Sequence, residues 1–336
     1  MTKYFGTDGV RGVAGSFLDA TLACNLGRFS AYVLSEKNTK KIRIVIGKDT
    51  RISSDMLEAA FISGALSQGA DVIQLGVIPT PAVSYITKKT GADSGVVISA
   101  SHNPMKYNGI KFFSSKGEKL SDALEEEIEE YLNGKKTVEN VLTGENIGRL
   151  SSLADACDDY LNHSISAAGC TLDGMKIAID CSNGANSFIA PKAFKKLGAE
   201  VFVKSASPDG ININAGCGSV HIDSLSEFVR SCGADVGIAF DGDADRVLAV
   251  DENGDVLSGD VLIGLIAIDY KKSGILGSAP VVGTVMSNMG LSLSLKKHGI
   301  GFVAAKVGDR YVYEKMTELG SVIGGEESGH IISTLY

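Results

Sequence analysis

One rhythm recurs three times along this chain: an apolar strand, a polar break, an amphipathic helix, a glycine and a second apolar strand. The first copy is Ile42-Arg43-Ile44-Val45-Ile46, a helix from Ser54 to Gln68, Gly69, then Val72-Ile73-Gln74-Leu75. The second is Lys176-Ile177-Ala178-Ile179-Asp180, a helix to Leu197, Gly198 and Val201-Phe202-Val203. The third is Val281-Val282-Gly283-Thr284-Val285, a helix to His298, Gly299 and Ile300-Gly301-Phe302-Val303-Ala304. Glycine after each helix suits a left-handed cap, and β-branched runs suit buried strands. A helix feeding directly into a strand makes a βαβ crossover, so the pattern predicts repeated α/β domains with mixed, largely parallel sheets.

Boundaries follow from the gaps between copies. Asp122 to Leu132 reads as a helix with Leu124, Ile128 and Tyr131 or Leu132 inward, and its Glu125 to Glu130 run reads as a solvated face. A polar stretch follows, giving expected domains at 1–150, 151–255 and 256–336, the last incomplete.

The chain carries 32 Lys and Arg against 40 Asp and Glu, a net charge of −8, with 44% hydrophobic residues. That apolar content excludes a disordered chain, and the acidic balance argues against nucleic-acid or anionic-membrane partners. Any anion must therefore be met by a local basic cluster. Six scattered cysteines include no C-x-x-C pair, which disfavours structural zinc and suits buried thiols in a reducing compartment. The N-terminus has no apolar signal region, and the longest apolar run, Val261 to Ile268, is far short of a membrane span. A soluble, cytoplasmic protein is the resulting expectation.

The densest chemical signal is Phe240-Asp241-Gly242-Asp243-Ala244-Asp245-Arg246 after an apolar strand. Three carboxylates at alternate positions repel one another unless a cation neutralises them. All-oxygen ligands select a hard ion, Mg²⁺ before Mn²⁺ or Ca²⁺. Asp241, Asp243, Asp245 and Glu252 match EF-hand loop positions, but Arg246 stands where glycine is needed and an apolar strand follows. A phosphatase-type strand with Asp241 as nucleophile is the stronger rival, disfavoured by the acidic residue at Asp245. Ser101, in Ala100-Ser101-His102-Asn103-Pro104, sits where a strand breaks into turns marked by Asn-Pro and Asn108-Gly109. It is expected exposed at the sheet edge, as a nucleophile or phosphate carrier, without the hydrolase elbow. Gly324-Gly325-Glu326-Glu327-Ser328-Gly329-His330 offers a close-approach backbone with hydroxyl-binding groups, the vocabulary of a sugar site. Lys306-Val307-Gly308-Asp309-Arg310 ends a strand and opens a helix, where an anion could bind.

These stretches, together with Tyr4-Phe5-Gly6-Thr7-Asp8-Gly9-Val10-Arg11-Gly12, resemble the α-D-phosphohexomutase superfamily in order along the chain. Gly283-Thr284-Val285-Met286-Ser287-Asn288 and Val307-Gly308-Asp309-Arg310-Tyr311 point to its bacterial glucosamine branch. The resemblance implies a phosphoserine at Ser101 and one Mg²⁺ per chain, held by that phosphate with Asp241, Asp243 and Asp245. It implies transfer to glucosamine 6-phosphate, a glucosamine 1,6-bisphosphate intermediate, and release of glucosamine 1-phosphate toward UDP-N-acetylglucosamine. Arg11, Lys111 and Arg246 would supply positive charge or move protons, with the acid and base among Arg11, Lys111 and His330 left open. Glu326 and Ser328 would grip sugar hydroxyls, and Lys306 and Arg310 would assist the substrate anion. His102 lies beside the phosphoserine by the same carry-over, with a structural turn role as the alternative. The expected partner is a small sugar phosphate, with a homodimer as the candidate assembly.

Two departures qualify this. Glu327 stands where the glucosamine branch usually has Gln, which keeps a phosphomannomutase or phosphoglucomutase as the alternative. No Ser-Gly-Thr of the superfamily's fourth domain occurs, so the chain reads as a truncated form with weak or no turnover, or as a non-catalytic sugar-phosphate binder.

Overall fold

Alternation along the apolar strands decides how the elements stack. In a computed structural model, which describes residues 3–6 and 8–335, Ile44 and Ile46 enter one buried cluster while Val45 enters another. Val96 and Ile98 likewise face opposite to Val97. A strand buried on both faces needs helices on both sides. Here Ala20–Leu34, Ile52–Ser67 and Asp122–Leu132 cover one face of the first sheet, and Thr80–Thr90 and Ala156–Ala168 cover the other.

The first sheet has seven strands, in the order Phe5–Gly6, Gly9–Val13, Tyr107–Ser114, Ser94–Ile98, Arg43–Lys48, Asp71–Val77 and Leu150–Ser152. The last four run parallel, and the first three add antiparallel at one side. The second sheet orders Val256–Leu257, Val247–Asp251, Val236–Phe240, Lys176–Asp180 and Glu200–Lys204, with its last three strands parallel. In the third, Phe302–Ala305, Val281–Thr284 and Ile323–Gly325 are parallel, and Ile331–Ser333 closes an antiparallel edge. The predicted α/β class with mixed, largely parallel sheets is what forms.

Several local expectations change. The boundary drawn at 150 falls on Leu150–Ser152, which still pairs with the first sheet. The second copy's helix shortens to Ala190–Lys196 behind a 3-10 turn at Ala185–Ser187. Asn108-Gly109 is not a turn but lies inside a strand, because the buried Asn108 amide donates to the Ser53 and Ser54 hydroxyls at 2.9 and 3.0 Å. The glutamate run is not uniformly solvated: Glu129 Oε1 accepts the backbone N–H groups of Tyr4 and Phe5 at 2.7 and 2.6 Å and anchors the N-terminal strand. The cysteines are all unpaired, but only Cys181 and Cys217 are buried as expected: Cys24, Cys157 and Cys232 are half-buried and Cys170 is exposed.

Candidate active site

Parallel strands gather their C-terminal ends on one edge, where α/β sheets present ligand-binding loops. In the first unit, Asp49 and Arg51 follow Arg43–Lys48, and Ser101 follows the neighbouring Ser94–Ile98. Asp241, Asp243 and Asp245 follow Val236–Phe240 in the second unit, within a tight turn whose Ala244 adopts a left-handed φ of 56°. The chain then returns as the antiparallel strand Val247–Asp251, which is incompatible with an EF-hand.

The two loops meet. Ser101 Oγ donates a hydrogen bond to Asp241 Oδ2 and lies 3.3 Å from His102 Nδ1. Gly242 permits the approach, since a Cβ there would stand 2.7 Å from the Ser101 carbonyl oxygen. Ser101 is therefore 1% exposed, not exposed at a sheet edge as the sequence suggested, because the second unit's loop closes over it.

Lys111, on Tyr107–Ser114, reaches the same place and is 3% exposed. Its Nζ lies 2.7 Å from Asp243 Oδ2, 3.1 Å from Asp245 Oδ2 and 3.3 Å from Asp8 Oδ2. Burial alone would lower its pKa, but Asp243, Asp245 and Asp8 hold it well above the ordinary lysine value. Asp8 is pushed up by burial and pulled further down by Lys111, Lys119 and Arg11, ending well below the usual carboxylate range. Asp245 behaves alike, with burial overcome by Lys111, His330 and Arg246. Asp241 goes the other way, raised well above its usual value by burial and then by Asp245 and Asp243. His102 is depressed by burial and by Arg246 and Arg11.

The cluster's donor set fits a hard cation. One oxygen from each of Asp241, Asp243 and Asp245 lies within 4.8 Å of the others. The Oδ1 atoms of Asp243 and Asp245 are buried without a hydrogen-bond partner, so Lys111 neutralises only one side of these carboxylates. Buried anionic oxygens in that state favour a positive ion.

Lys306, Arg310, Glu326, Ser328 and His330 form a second group in the third unit. Glu326 Oε1 accepts the Gly308 N–H at 2.9 Å, tying the hairpin turn to the Lys306–Arg310 segment. Ser328 and Lys306 are exposed, and Lys306 stands 5.6 Å from the Tyr311 ring. Arg310 donates to Asp122 in the first unit and, at 3.1 Å, to Glu314. His330 Nε2 lies 3.7 Å from Asp309 Oδ2. Arg11 pairs with Asp8, and Arg246 Nε stands 3.9 Å from Asp245 Oδ1. Ser101, Lys111 and the aspartates thus meet directly, whereas Lys306, Arg310, Glu326 and Ser328 rim the third unit.

Sequence reasoning passed over the groups that support this cluster. Thr80 donates its hydroxyl to Asp243 Oδ2 at 2.6 Å and its N–H to the Asp243 carbonyl at 2.9 Å. Lys119 bridges Asp8 and Asp309 at 2.8 and 2.7 Å. Asp49 accepts from Arg51 Nε and Ser99 Oγ at 2.8 and 2.7 Å, and Ser99 Oγ accepts the Ser101 N–H. The only sequence signal was a charged Lys48-Asp49-Thr50-Arg51 run at a buried strand's end.

Three α/β/α units joined around a serine and an aspartate trio define a phosphohexomutase. Profiles of phosphoglucomutase/phosphomannomutase α/β/α domains I, II and III match residues 2–139, 158–254 and 258–336. The chain is 54% identical over 332 residues to a phosphoglucosamine mutase of Acetivibrio thermocellus, covering 99% of this chain and 74% of that protein. With a Clostridium acetobutylicum phosphoglucosamine mutase it shares 53% over the same length and coverage. On these matches the chain belongs to the phosphoglucosamine mutase family. Among solved structures, a Burkholderia thailandensis phosphoglucomutase/phosphomannomutase family protein superposes with TM-score 0.84 at 25% identity, covering 98% of this chain and 72% of that one. The fold also matches an Aspergillus fumigatus N-acetylphosphoglucosamine mutase solved with GlcNAc-6P and magnesium, at TM-score 0.62 and 16% identity, covering 98% and 67%. Among the described residues, no helix is long and apolar enough to cross a membrane.

Proposed function

We propose that this chain interconverts glucosamine 6-phosphate and glucosamine 1-phosphate, with Ser101 as the phosphoryl carrier. The observation that carries the reading is the contact of Ser101 Oγ with Asp241 inside a trio of aspartates that retains unpaired buried oxygens. Asp241, Asp243 and Asp245 would hold Mg²⁺, which when bound supplies charge stabilisation to a transferring phosphoryl group.

The chain's own groups do the rest. A sugar hydroxyl attacks the phosphorus on Ser101, the hydroxyl's proton passes to a base, and the Oγ–P bond breaks as Ser101 Oγ takes a proton from an acid. The bisphosphate formed turns in the cleft; Ser101 Oγ gives its proton to a base and attacks the other phosphate. That phosphate's bond to the sugar oxygen breaks, the sugar oxygen takes a proton from an acid, and the phosphoserine is regenerated. Lys111, held as an ammonium by three carboxylates, suits charge stabilisation or proton donation rather than base duty. His330 is the candidate that can accept a proton, while Arg11, a permanent cation, and Arg246 add positive charge. Lys306, Arg310, Glu326 and Ser328 are assigned to the sugar phosphate.

Intact-mass measurement after incubation with a hexose 1,6-bisphosphate and Mg²⁺ tests the assignment. One phosphoryl group should appear on the wild-type chain and vanish in Ser101→Ala. Phosphorylation persisting in Ser101→Ala, or lost only in Asp241→Asn, would favour the aspartyl-phosphate phosphatase instead.

A further inference from the structure

A nucleophile on a loop needs its backbone fixed, and the Ser101 loop is fixed in an unusual way. Ser101 has φ of 52°, a left-handed conformation that costs a non-glycine residue about 1–2 kcal/mol and persists only where surroundings impose it. Two side chains impose it through the same pair of carbonyl oxygens. Arg51, 2% exposed, donates Nη2 to the carbonyls of Ser101 and Asn103 at 2.8 and 2.7 Å, and Nη1 to those of Pro104 and Tyr107 at 2.7 and 3.1 Å. Asn214, 5% exposed, donates Nδ2 to the Ser101 and Asn103 carbonyls at 2.9 and 3.2 Å.

The two clamps come from different units. Arg51 follows a strand of the first sheet and belongs with Ser101 itself. Asn214 lies between Glu200–Lys204 and Asp223–Cys232 of the second unit, where its own N–H donates to the Ser182 carbonyl at 2.9 Å and its φ is 57°. The second unit also supplies Asp241, Asp243 and Asp245. Asn214 therefore ties the nucleophile's loop to the body that carries the acidic trio. A donor such as the amide NH₂ suits this place, since both atoms it meets are acceptors.

We propose that Asn214 is a positioning residue for phosphoryl transfer, setting the register between Ser101 and the aspartate trio while Arg51 fixes the loop from its own unit. The proposal rests on the reading of Ser101 as phosphoryl carrier. Asn214 touches no reacting atom; it acts through the Ser101 carbonyl. A misplacement of about 1 Å at a reacting centre costs on the order of 100-fold in rate, which is the scale available to such a tether.

The test uses the full chain with Mg²⁺ and glucose 1,6-bisphosphate as donor, following phosphorylation of Ser101 by intact mass across donor concentrations. Asn214→Asp keeps the shape but turns both donors into acceptors, and Asn214→Ser guards against misfolding of the first variant. Both should lower the maximal rate by at least about tenfold, with half-saturating donor within about twofold of wild type. In whichever variant accepts the group, the phosphoserine ³¹P resonance should shift. Rates within about threefold of wild type in folded variants would overturn the proposal. So would a loss appearing only as weaker donor binding, or one fully matched by loss of folded protein. If wild type accepts no phosphoryl group, the carrier reading itself falls and this proposal falls with it.

Discussion

Replacing Lys111 by Met removes an ammonium that contacts three carboxylates at the cluster, at 2.7, 3.1 and 3.3 Å. At an effective dielectric of about 20, each such contact is a gross attraction of about 5–6 kcal/mol, offset by several kcal/mol of desolvation per buried ion. Truncating one partner of a buried ion pair costs about 3–5 kcal/mol net. The lower end, about 3 kcal/mol, applies here because Asp8 keeps Lys119 at 2.8 Å and Asp243 keeps the Thr80 hydroxyl at 2.6 Å. Urea unfolding in chelator should show that loss. A sign then follows for Mg²⁺. Lys111 is a cation beside the same carboxylates that the metal would use, and like charges repel, so Lys111→Met should bind Mg²⁺ at least about tenfold more tightly, about 1.4 kcal/mol, even while losing activity. Saturating Mg²⁺ should accordingly protect the variant more than wild type. A cost below about 1 kcal/mol in chelator, or equal protection of both proteins, would refute this account of the cluster.

Other perturbations probe the scaffold. Burial pushes Glu125 up to about 7 against the pull of Arg310, from an ordinary 4.5. A raised carboxylate pKa means ionisation opposes folding, so the stability tied to this group is full below 4.5 and lost as pH rises to about 7. Glu125→Gln should flatten the fall in thermal midpoint between pH 4.5 and 7, and an unchanged slope would refute it. Gly64→Ala should destabilise by about 3 kcal/mol or more in denaturant titration, because its Cβ would stand 1.9 Å from the Cys24 carbonyl oxygen where two helices cross. A loss under about 1 kcal/mol would show that the helices separate freely. Asp122→Ala should cost less than about 1 kcal/mol, since the carboxylate is 70% exposed. A larger loss would mean that the Arg310 contact holds the first and third units together.

Much of this architecture was legible because hydrophobic period and glycine placement are local signals. Asp122–Leu132 appeared with the bounds read from its sequence, and Ile128 and Tyr131 are its buried residues. Alternating aspartates read as a carboxylate cluster for the same reason, since repulsion is readable from spacing, and their oxygens do lie within 4.8 Å of one another. Burial by another unit is not. Ser101 looked like an exposed turn serine because the residues that cover it, Asp241 and Gly242, lie about 140 positions away. Arg51, Thr80 and Asn214 were passed over because their roles are hydrogen bonds to distant backbone or to another loop's carboxylate, for which composition and period carry no trace. Asn108-Gly109 misled for a related reason: a sequence that favours a turn was held extended by two serine hydroxyls from a neighbouring helix.

Lys119 gives one ion-pair contact to Asp8 in the first unit and another to Asp309 in the third. A swing of the third unit would strip Asp309 of this counter-charge, and Asp309 is also the carboxylate beside His330. Lys119 is therefore a charge shared between units, one ammonium serving a carboxylate in each. Ionic strength, which weakens such partly exposed contacts, should loosen the two together.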